Sequence, residues 1–131
     1  MNEANDFVIL PPSELEVMTA VWEAERTFPT PVLTAHLFRV TPALNRLDVS
    51  TVISLLNRLV GKGFLRIGKL GRNNTYESLI PEETYRTAAI REFIGRVYGG
   101  DRVRMVAQII ESMTPDELTA FRELLDKQDK A

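Results

Sequence analysis

The residues of this chain whose types and spacing could do chemistry lie between positions 48 and 74. Small polar side chains recur there at helical spacing, and basic side chains accompany them. Hydroxyl and amide groups can read the edges of base pairs in a major groove, an apolar side chain can contact a thymine methyl group, and an arginine can reach guanine or phosphate. The predicted base-reading residues are Ser50, Thr51, Ile53, Ser54, Asn57 and Arg58.

A second group of side chains follows these residues and is suited to contacts with phosphates or with an adjacent minor groove. It comprises Lys62, Lys69, Arg72, Asn73 and Asn74. The alternatives are the solvated side of an amphipathic helix for the first group and an ordinary polar turn for the second. Exposed helix faces usually favour Glu and Lys, whereas this one has no acid after Asp48, which favours groove reading.

Other chemistries have little support. The chain has no cysteine and a single histidine, His36, so thiolate metal sites, disulfides and cysteine nucleophiles are excluded. No glycine-rich phosphate loop, catalytic triad order or paired-carboxylate signature is visible. Glu14 and Glu16 are interpreted as acids at the start of a helix. We therefore expect no catalytic residues, no metal and no cofactor.

The net charge of −2 and the isoelectric point of about 5.5 at first argue against a nucleic-acid binder. The distribution of charge reverses this argument. Residues 39–72 contain seven basic residues and one acidic residue, a net charge of +6, which leaves −8 for the rest of the chain. Such an asymmetry can direct one face of a protein toward DNA.

The elements that must position these residues can be read from apolar periodicity and capping signals. A capping box at Ser13–Glu16 begins a first helix that continues to about Arg26, and Thr30-Pro31 begins a short second helix. Asp48 caps a third helix that continues to about Lys62 and ends at Gly63. Strands at 64–68 and 75–80 follow, joined by a link at 69–74. Three helices followed by a hairpin is the order of a winged helix-turn-helix module.

Three more helices follow, beginning near Pro81, Asp101 and Thr114. The predicted fold is mainly α with a small β-hairpin wing, divided into an extended leader (1–12), a winged-helix DNA-binding domain (13–80) and a helical dimerisation domain (81–131). The last three helices carry more large apolar residues than they can bury alone, which predicts a two-fold homodimer. The predicted dimerisation residues are Phe93, Val97, Val106, Ile109, Ile110, Leu118, Phe121 and Leu125.

The chain lacks the long apolar run of a membrane span and the pattern of a secretory signal. We expect a cytoplasmic protein without stable membrane association. Three functions remain open: a DNA-binding repressor, a winged-helix module that binds another protein, and a regulator that responds to a small molecule bound beneath the dimerisation helices. The concentration of basic charge on the third helix and the hairpin favours the first.

The ordered set of motifs resembles the penicillinase-repressor family of bacterial transcription regulators. The resemblance extends from about residue 11 to residue 127. It is carried by Ser13–Met18 with Trp22, Ser50–Val52, Leu55–Val60, Lys62-Gly63, Gly71-Arg72, Tyr76, Glu83–Tyr85, Phe93-Ile94, Tyr98–Gly100, Met105 and the helix at 118–125.

The resemblance implies a homodimeric repressor that binds palindromic operators ahead of resistance or metal-homeostasis genes. In the penicillinase branch, a signal from a membrane sensor protease leads to cleavage within the dimerisation region. The resemblance places that cleavage between Gln108 and Ile109, where the penicillinase branch has Asn-Phe. The cysteine cluster of the copper-sensing branch is absent from this sequence, which disfavours copper sensing.

Overall fold

A computed structural model of the chain describes residues 8–130, and these form six α-helices, a short 3₁₀ helix and three β-strands. The mainly helical fold with a small β wing is confirmed. The elements are α1 (Pro12–Thr27), β1 (Val32–Leu33), α2 (Thr34–Val40), the 3₁₀ helix (Pro42–Arg46), α3 (Val49–Gly61), β2 (Leu65–Leu70), β3 (Asn73–Ser78), α4 (Glu82–Tyr98), α5 (Arg102–Ser112) and α6 (Pro115–Asp129). Residues 1–7 of the predicted leader lie outside the described residues.

Packing divides the chain into two compact units, one ending at Ala89 and the other beginning at Ile90. The first turns of α4 belong to the first unit, where Tyr85 is buried and its hydroxyl accepts a hydrogen bond from the Leu10 backbone N–H at 2.9 Å. Packing thus separates the two units later in the chain than the predicted domain boundary at residues 80 and 81. That boundary remains a prediction.

The core of the first unit forms where α1 and α3 present apolar faces. The face of α3 consists of Val52, Leu55, Leu56 and Leu59, all buried, and α1 contributes Val17, Met18, Val21 and Trp22. Full burial of each large side chain stabilises the fold by about 1.5–3 kcal/mol. The indole N–H of Trp22 donates to the Ile80 carbonyl at 3.0 Å, so its one polar group is also satisfied.

The three strands form an antiparallel sheet in the order β1-β3-β2. Leu70 lies opposite Asn73, so Gly71 and Arg72 alone make the turn between β2 and β3. Gly71 has a φ of 62°, which a residue without a side chain adopts readily. The hairpin is therefore longer and its turn tighter than predicted, and Asn73 and Asn74 belong to β3 rather than to a loop.

Two predicted helix starts are wrong. Helix α1 begins at Pro12 with Pro11 at the N-cap, so Ser13 is inside the helix rather than its cap; proline already has the φ of a first helical turn. Thr30-Pro31 does not begin α2. Val32 and Leu33 instead pair with Tyr76 and Thr75 as a strand, and α2 begins at Thr34.

The second unit comprises the end of α4 together with α5 and α6. The predicted caps are confirmed there: Asp101 Oδ1 accepts the Arg104 backbone N–H at 3.0 Å, and Thr114 and Glu117 form a capping box. Within residues 90–130, only Ile94 is buried. In the part of the chain that the structure describes, no helix has the length and apolarity needed to cross a membrane.

Candidate nucleic-acid interface

Helix α3 presents a polar face opposite its buried stripe. Five of the predicted base-reading residues are exposed on this helix, and Ile53 is partly buried at the margin. The helix forms because apolar residues recur at 52, 55, 56 and 59, and it ends where Gly63 takes a φ of 82°. The exposed side chains are Ser50, Thr51, Ser54, Asn57 and Arg58. One rigid element thus holds all the predicted base-reading groups.

The tip of the hairpin carries four of the five predicted backbone-contacting residues. Lys69 lies directly opposite Asn74 in the register of β2 and β3, and Arg72 is in the turn next to Asn73. Lys69, Arg72 and Asn73 are exposed, and Asn74 is partly buried. The register therefore brings two cations and two amides to one end of the sheet.

Lys62, the fifth predicted backbone-contacting residue, has a partner within the protein. Its Nζ lies 2.5 Å from Glu14 Oε1, and Glu14 is only 4% exposed. This pair corrects the interpretation of Glu14 as a simple helix-start acid, because its carboxylate connects the first turn of α1 to the end of α3. A contact between Lys62 and DNA remains a prediction. In such a contact the Lys62 ammonium group would bind a phosphate while it is still paired with Glu14.

Glu16 has a similar role toward Arg46. Its two carboxylate oxygens accept hydrogen bonds from Arg46 Nη1 at 2.8 Å and Nη2 at 2.6 Å. These bonds lower the pKa of Glu16 from its ordinary value of 4.5 and raise the pKa of Arg46. Glu16 is thus also more than a helix-start acid.

The remaining cations of segment 39–72 differ in their surroundings. Arg66 pairs with Glu77 at 2.9 Å, and the Arg39 guanidinium lies 4.8 Å from the centre of the Phe28 ring. Within residues 8–130, Arg58, Lys69 and Arg72 have no carboxylate at ion-pair distance. These three positive charges, on α3 and at the hairpin tip, are available to an anionic partner.

A cleft of about 450 Å³ lies beside the polar face of α3. It is lined by Ser13, Arg46, Leu47, Ser50, Thr51, Ser54, Leu55 and Arg58. Arg46 is one of the seven basic residues of segment 39–72, but it is not among the residues predicted to contact DNA. No sequence signal identified its pairing, because Glu16 lies 30 positions earlier in the chain.

The predicted dimerisation residues all lie in the second unit. Phe93, Val97, Ile109, Ile110 and Leu125 are exposed, and Val106, Leu118 and Phe121 are partly buried. Gln108 and Ile109 are within α5, and Gln108 Oε1 accepts a hydrogen bond from the Tyr98 hydroxyl at 2.8 Å. Among the described residues, no cluster of His, Asp and Glu side chains is arranged to hold a metal ion.

Comparison with known proteins gives a consistent set of relatives. The sequence profile of the family described as "Penicillinase repressor" matches residues 10–127. The chain is 26% identical over 117 residues to the penicillinase repressor of Bacillus licheniformis, a match that covers 88% of each chain. It is 30% identical over 80 residues to the methicillin resistance regulatory protein MecI of Staphylococcus aureus, covering 60% of this chain and 65% of MecI.

Solved structures show more distant similarity. A MarR family protein from Bacillus stearothermophilus aligns with 94% of this chain and 75% of its own, with 19% sequence identity and a TM-score of 0.48.

Proposed function

Because the chain belongs to the penicillinase repressor family, we propose that it is a transcriptional repressor that binds operator DNA as a homodimer. The observation that supports this proposal best is the polar, acid-free face of α3, accompanied by three cations, on α3 and the hairpin tip, for which residues 8–130 provide no carboxylate partner. Hydroxyl and amide groups would read base edges, and the unpaired cations would contact phosphates.

The pattern of charge favours DNA over a protein partner. Arg58, Lys69 and Arg72 are spread over α3 and the tip of the hairpin, an arrangement that can follow a phosphate backbone. The polar face of α3 also lacks the large apolar or aromatic anchors that dominate the energetics of protein interfaces.

Dimer formation supplies the second half of the proposed binding site. A single recognition helix reads one half-site, and a two-fold pair places two such helices about one turn of DNA apart, roughly 34 Å. The operator would then be palindromic. The exposed apolar side chains of the second unit, among them Phe93 and Val97, provide the surface that a second copy would cover.

The names of the relatives suggest what is regulated. We propose control of antibiotic resistance genes, with release from DNA by proteolysis between Gln108 and Ile109 after a signal from a membrane sensor protease. This bond is inside α5, and a protease needs an extended substrate, so cleavage would require α5 to unwind locally. Mass spectrometry of protein from induced cells checks the position of the cut. Intact protein that has left its promoter would contradict the proteolytic mechanism.

Binding to duplex DNA at several salt concentrations tests the central proposal. Fluorescence anisotropy with a palindromic duplex selected by the protein from a random pool should show log affinity falling with log salt, by about 0.9 for each phosphate neutralised. A flat salt response, or no binding, would contradict the DNA proposal.

Two substitutions separate the proposed roles. Arg72→Ala should weaken binding to all duplexes alike and flatten the salt dependence of the affinity. Asn57→Ala should instead reduce the free-energy difference between the preferred base pair and others at particular positions, by about 1–3 kcal/mol. Arg86→Ala is the matched control, since Arg86 is an exposed arginine of the first unit that pairs with Glu82 and Glu83. It should change neither quantity.

A further inference from the structure

The cleft beside α3 has the composition of an anion site, although the predicted interface does not include it as a unit. It is lined by two arginines, Arg46 and Arg58, and by the hydroxyl-bearing residues Ser13, Ser50, Thr51 and Ser54. No carboxylate lines it. Hydroxyls and guanidinium groups are among the side-chain groups that donate to phosphate oxygens in protein–DNA complexes.

Arg46 is held in one orientation by contacts within the first unit. Nη1 and Nη2 donate to Glu16, and Nη1 donates a second hydrogen bond to the Ala43 carbonyl at 2.8 Å. The Nε–H and the second Nη2–H have no partner within residues 8–130. These two donors form one side edge of the planar guanidinium, a pre-organised fork that matches two oxygens of a phosphate.

The charges of the cleft suit a single phosphodiester. Arg46 and Arg58 contribute two positive charges, and Glu16, behind Arg46, offsets one of them. A net charge of +1 remains for an anion of −1. Because Glu16 already restricts Arg46, the bound DNA would not have to immobilise a free arginine side chain, which lowers the entropic cost of the contact.

We propose that this cleft receives a backbone phosphate of bound DNA, with Arg46 as a further contact residue and Glu16 as the residue that positions it. A phosphate fits this place better than a base. Thr51 and Arg58 lie on the flank of α3 next to the buried Leu55, and Ser13 and Arg46 lie outside α3, so only Ser50 and Ser54 reach the cleft from the middle of the polar face. When a recognition helix lies in a groove of DNA, the sugar–phosphate backbone borders the groove at the flank of that helix.

The proposal rests on the proposed function, and its test separates the two. Arg46→Gln is compared with Arg26→Gln, because Arg26 is also an arginine of the first unit held by carboxylates, from Glu23 and Glu82, but it does not line the cleft. Anisotropy is measured with the selected palindromic duplex and with a random-sequence duplex over a range of sodium chloride concentrations, and urea unfolding confirms that both variants are folded.

Arg46→Gln should weaken binding to both duplexes by a similar factor of about tenfold or more, and flatten the slope of log affinity against log salt by about 2, one contact per protomer. Arg26→Gln should change neither. If Arg46→Gln behaves like Arg26→Gln while Arg72→Ala still weakens binding, the cleft proposal is overturned and the proposed function stands. Absence of DNA binding by the unsubstituted protein would instead remove both.

Glu16→Gln tests the positioning role. Glu16→Gln alone should weaken DNA binding. Added to the Arg46→Gln variant it should have no further effect, since the two residues act through one contact. Tighter binding of Glu16→Gln to both duplexes would overturn the positioning role, because it would mean that the carboxylate only offsets the charge of Arg46.

Discussion

At the scale of residues, six of the seven basic side chains of segment 39–72 fall into two groups. Lys62, Arg46 and Arg66 are each engaged by a carboxylate, whereas Arg58, Lys69 and Arg72 have none at ion-pair distance within the described residues. The carboxylates fix the first group within the unit, although Arg46 keeps two donors for the proposed phosphate contact, and the second group is available to a polyanion. The net charge of +6 for residues 39–72 therefore overstates how much positive charge faces a partner.

Lys62→Met should destabilise the first unit, because it leaves the carboxylate of Glu14 buried without its counter-ion. We expect a loss of about 1–3 kcal/mol in the free energy of unfolding by urea, less than for a fully buried pair because Lys62 is partly exposed. Adding Glu14→Gln should recover part of the loss. Arg66→Met, which breaks the exposed pair with Glu77, should cost under about 1 kcal/mol. Equal losses in Lys62→Met and Arg66→Met would contradict this prediction.

The pairing of Glu16 with Arg46 makes a pH-dependent contribution to stability. The pKa of the Glu16 carboxyl is lowered in the folded state. Ionised Glu16 therefore stabilises the fold at pH values above its pKa in the unfolded chain, and this contribution is lost as the pH falls through its pKa in the folded protein. Carbon NMR of the Glu16 carboxyl should give a titration midpoint below 4.5 that moves upward in Arg46→Gln. An unchanged midpoint would mean that the ion pair does not persist in solution.

The exposed polar face of α3 could be predicted from residue types and their spacing, whereas the ion pairs could not. The face depends on the spacing within one helix, which helical periodicity determines. Glu14 and Lys62 are 48 positions apart, and Glu16 and Arg46 are 30 apart. Which carboxylate meets which cation depends on how α1 packs against α3, and composition carries no information about that.

At the scale of elements, the hairpin depends on the conformation of one glycine. Gly71 has a φ of 62° in a turn of two residues. Gly71→Ala should therefore lower the free energy of unfolding by about 1–2 kcal/mol and weaken DNA binding through the displaced Lys69 and Arg72. Gly61→Ala is the contrasting variant, since Gly61 is in α3 with no atom within 4 Å of an added Cβ, and it should not lose stability. A fully stable Gly71→Ala variant would contradict the assigned turn.

Most elements with a local signal were predicted well, and of the two wrong helix starts the one before α2 has a physical reason. Helix α3, the cap at Asp101 and the capping box at Thr114 all depend on neighbours in sequence. Strand β1 has only two residues, Val32 and Leu33, and it exists because β3 pairs with it more than 40 residues later. A strand so short has no periodicity of its own, so the preceding Thr30-Pro31 resembled a helix start.

At the scale of the whole molecule, association should depend on the apolar stripe of α4. Ile90, Phe93 and Val97 recur at helical spacing and are each at least half exposed. Phe93→Glu should convert the proposed dimer to a monomer in light scattering at micromolar concentration and reduce DNA affinity, because a charge cannot be buried unpaired in an interface. Leu79→Glu, at an exposed apolar residue of the first unit, should remain dimeric. A stable monomer of the unsubstituted chain would contradict the dimer proposal itself.

The sparse core of the second unit also bears on protein turnover. With Ile94 as the only buried residue in the described part of this unit, much of its stability would have to come from assembly, so a newly made chain would stay vulnerable until it met another. Cellular quality-control proteases degrade such incompletely folded chains. Halving the rate of synthesis would then reduce the assembled pool by more than half. Gene dosage would set a threshold for repression through the folding of one helical unit, without any bound effector.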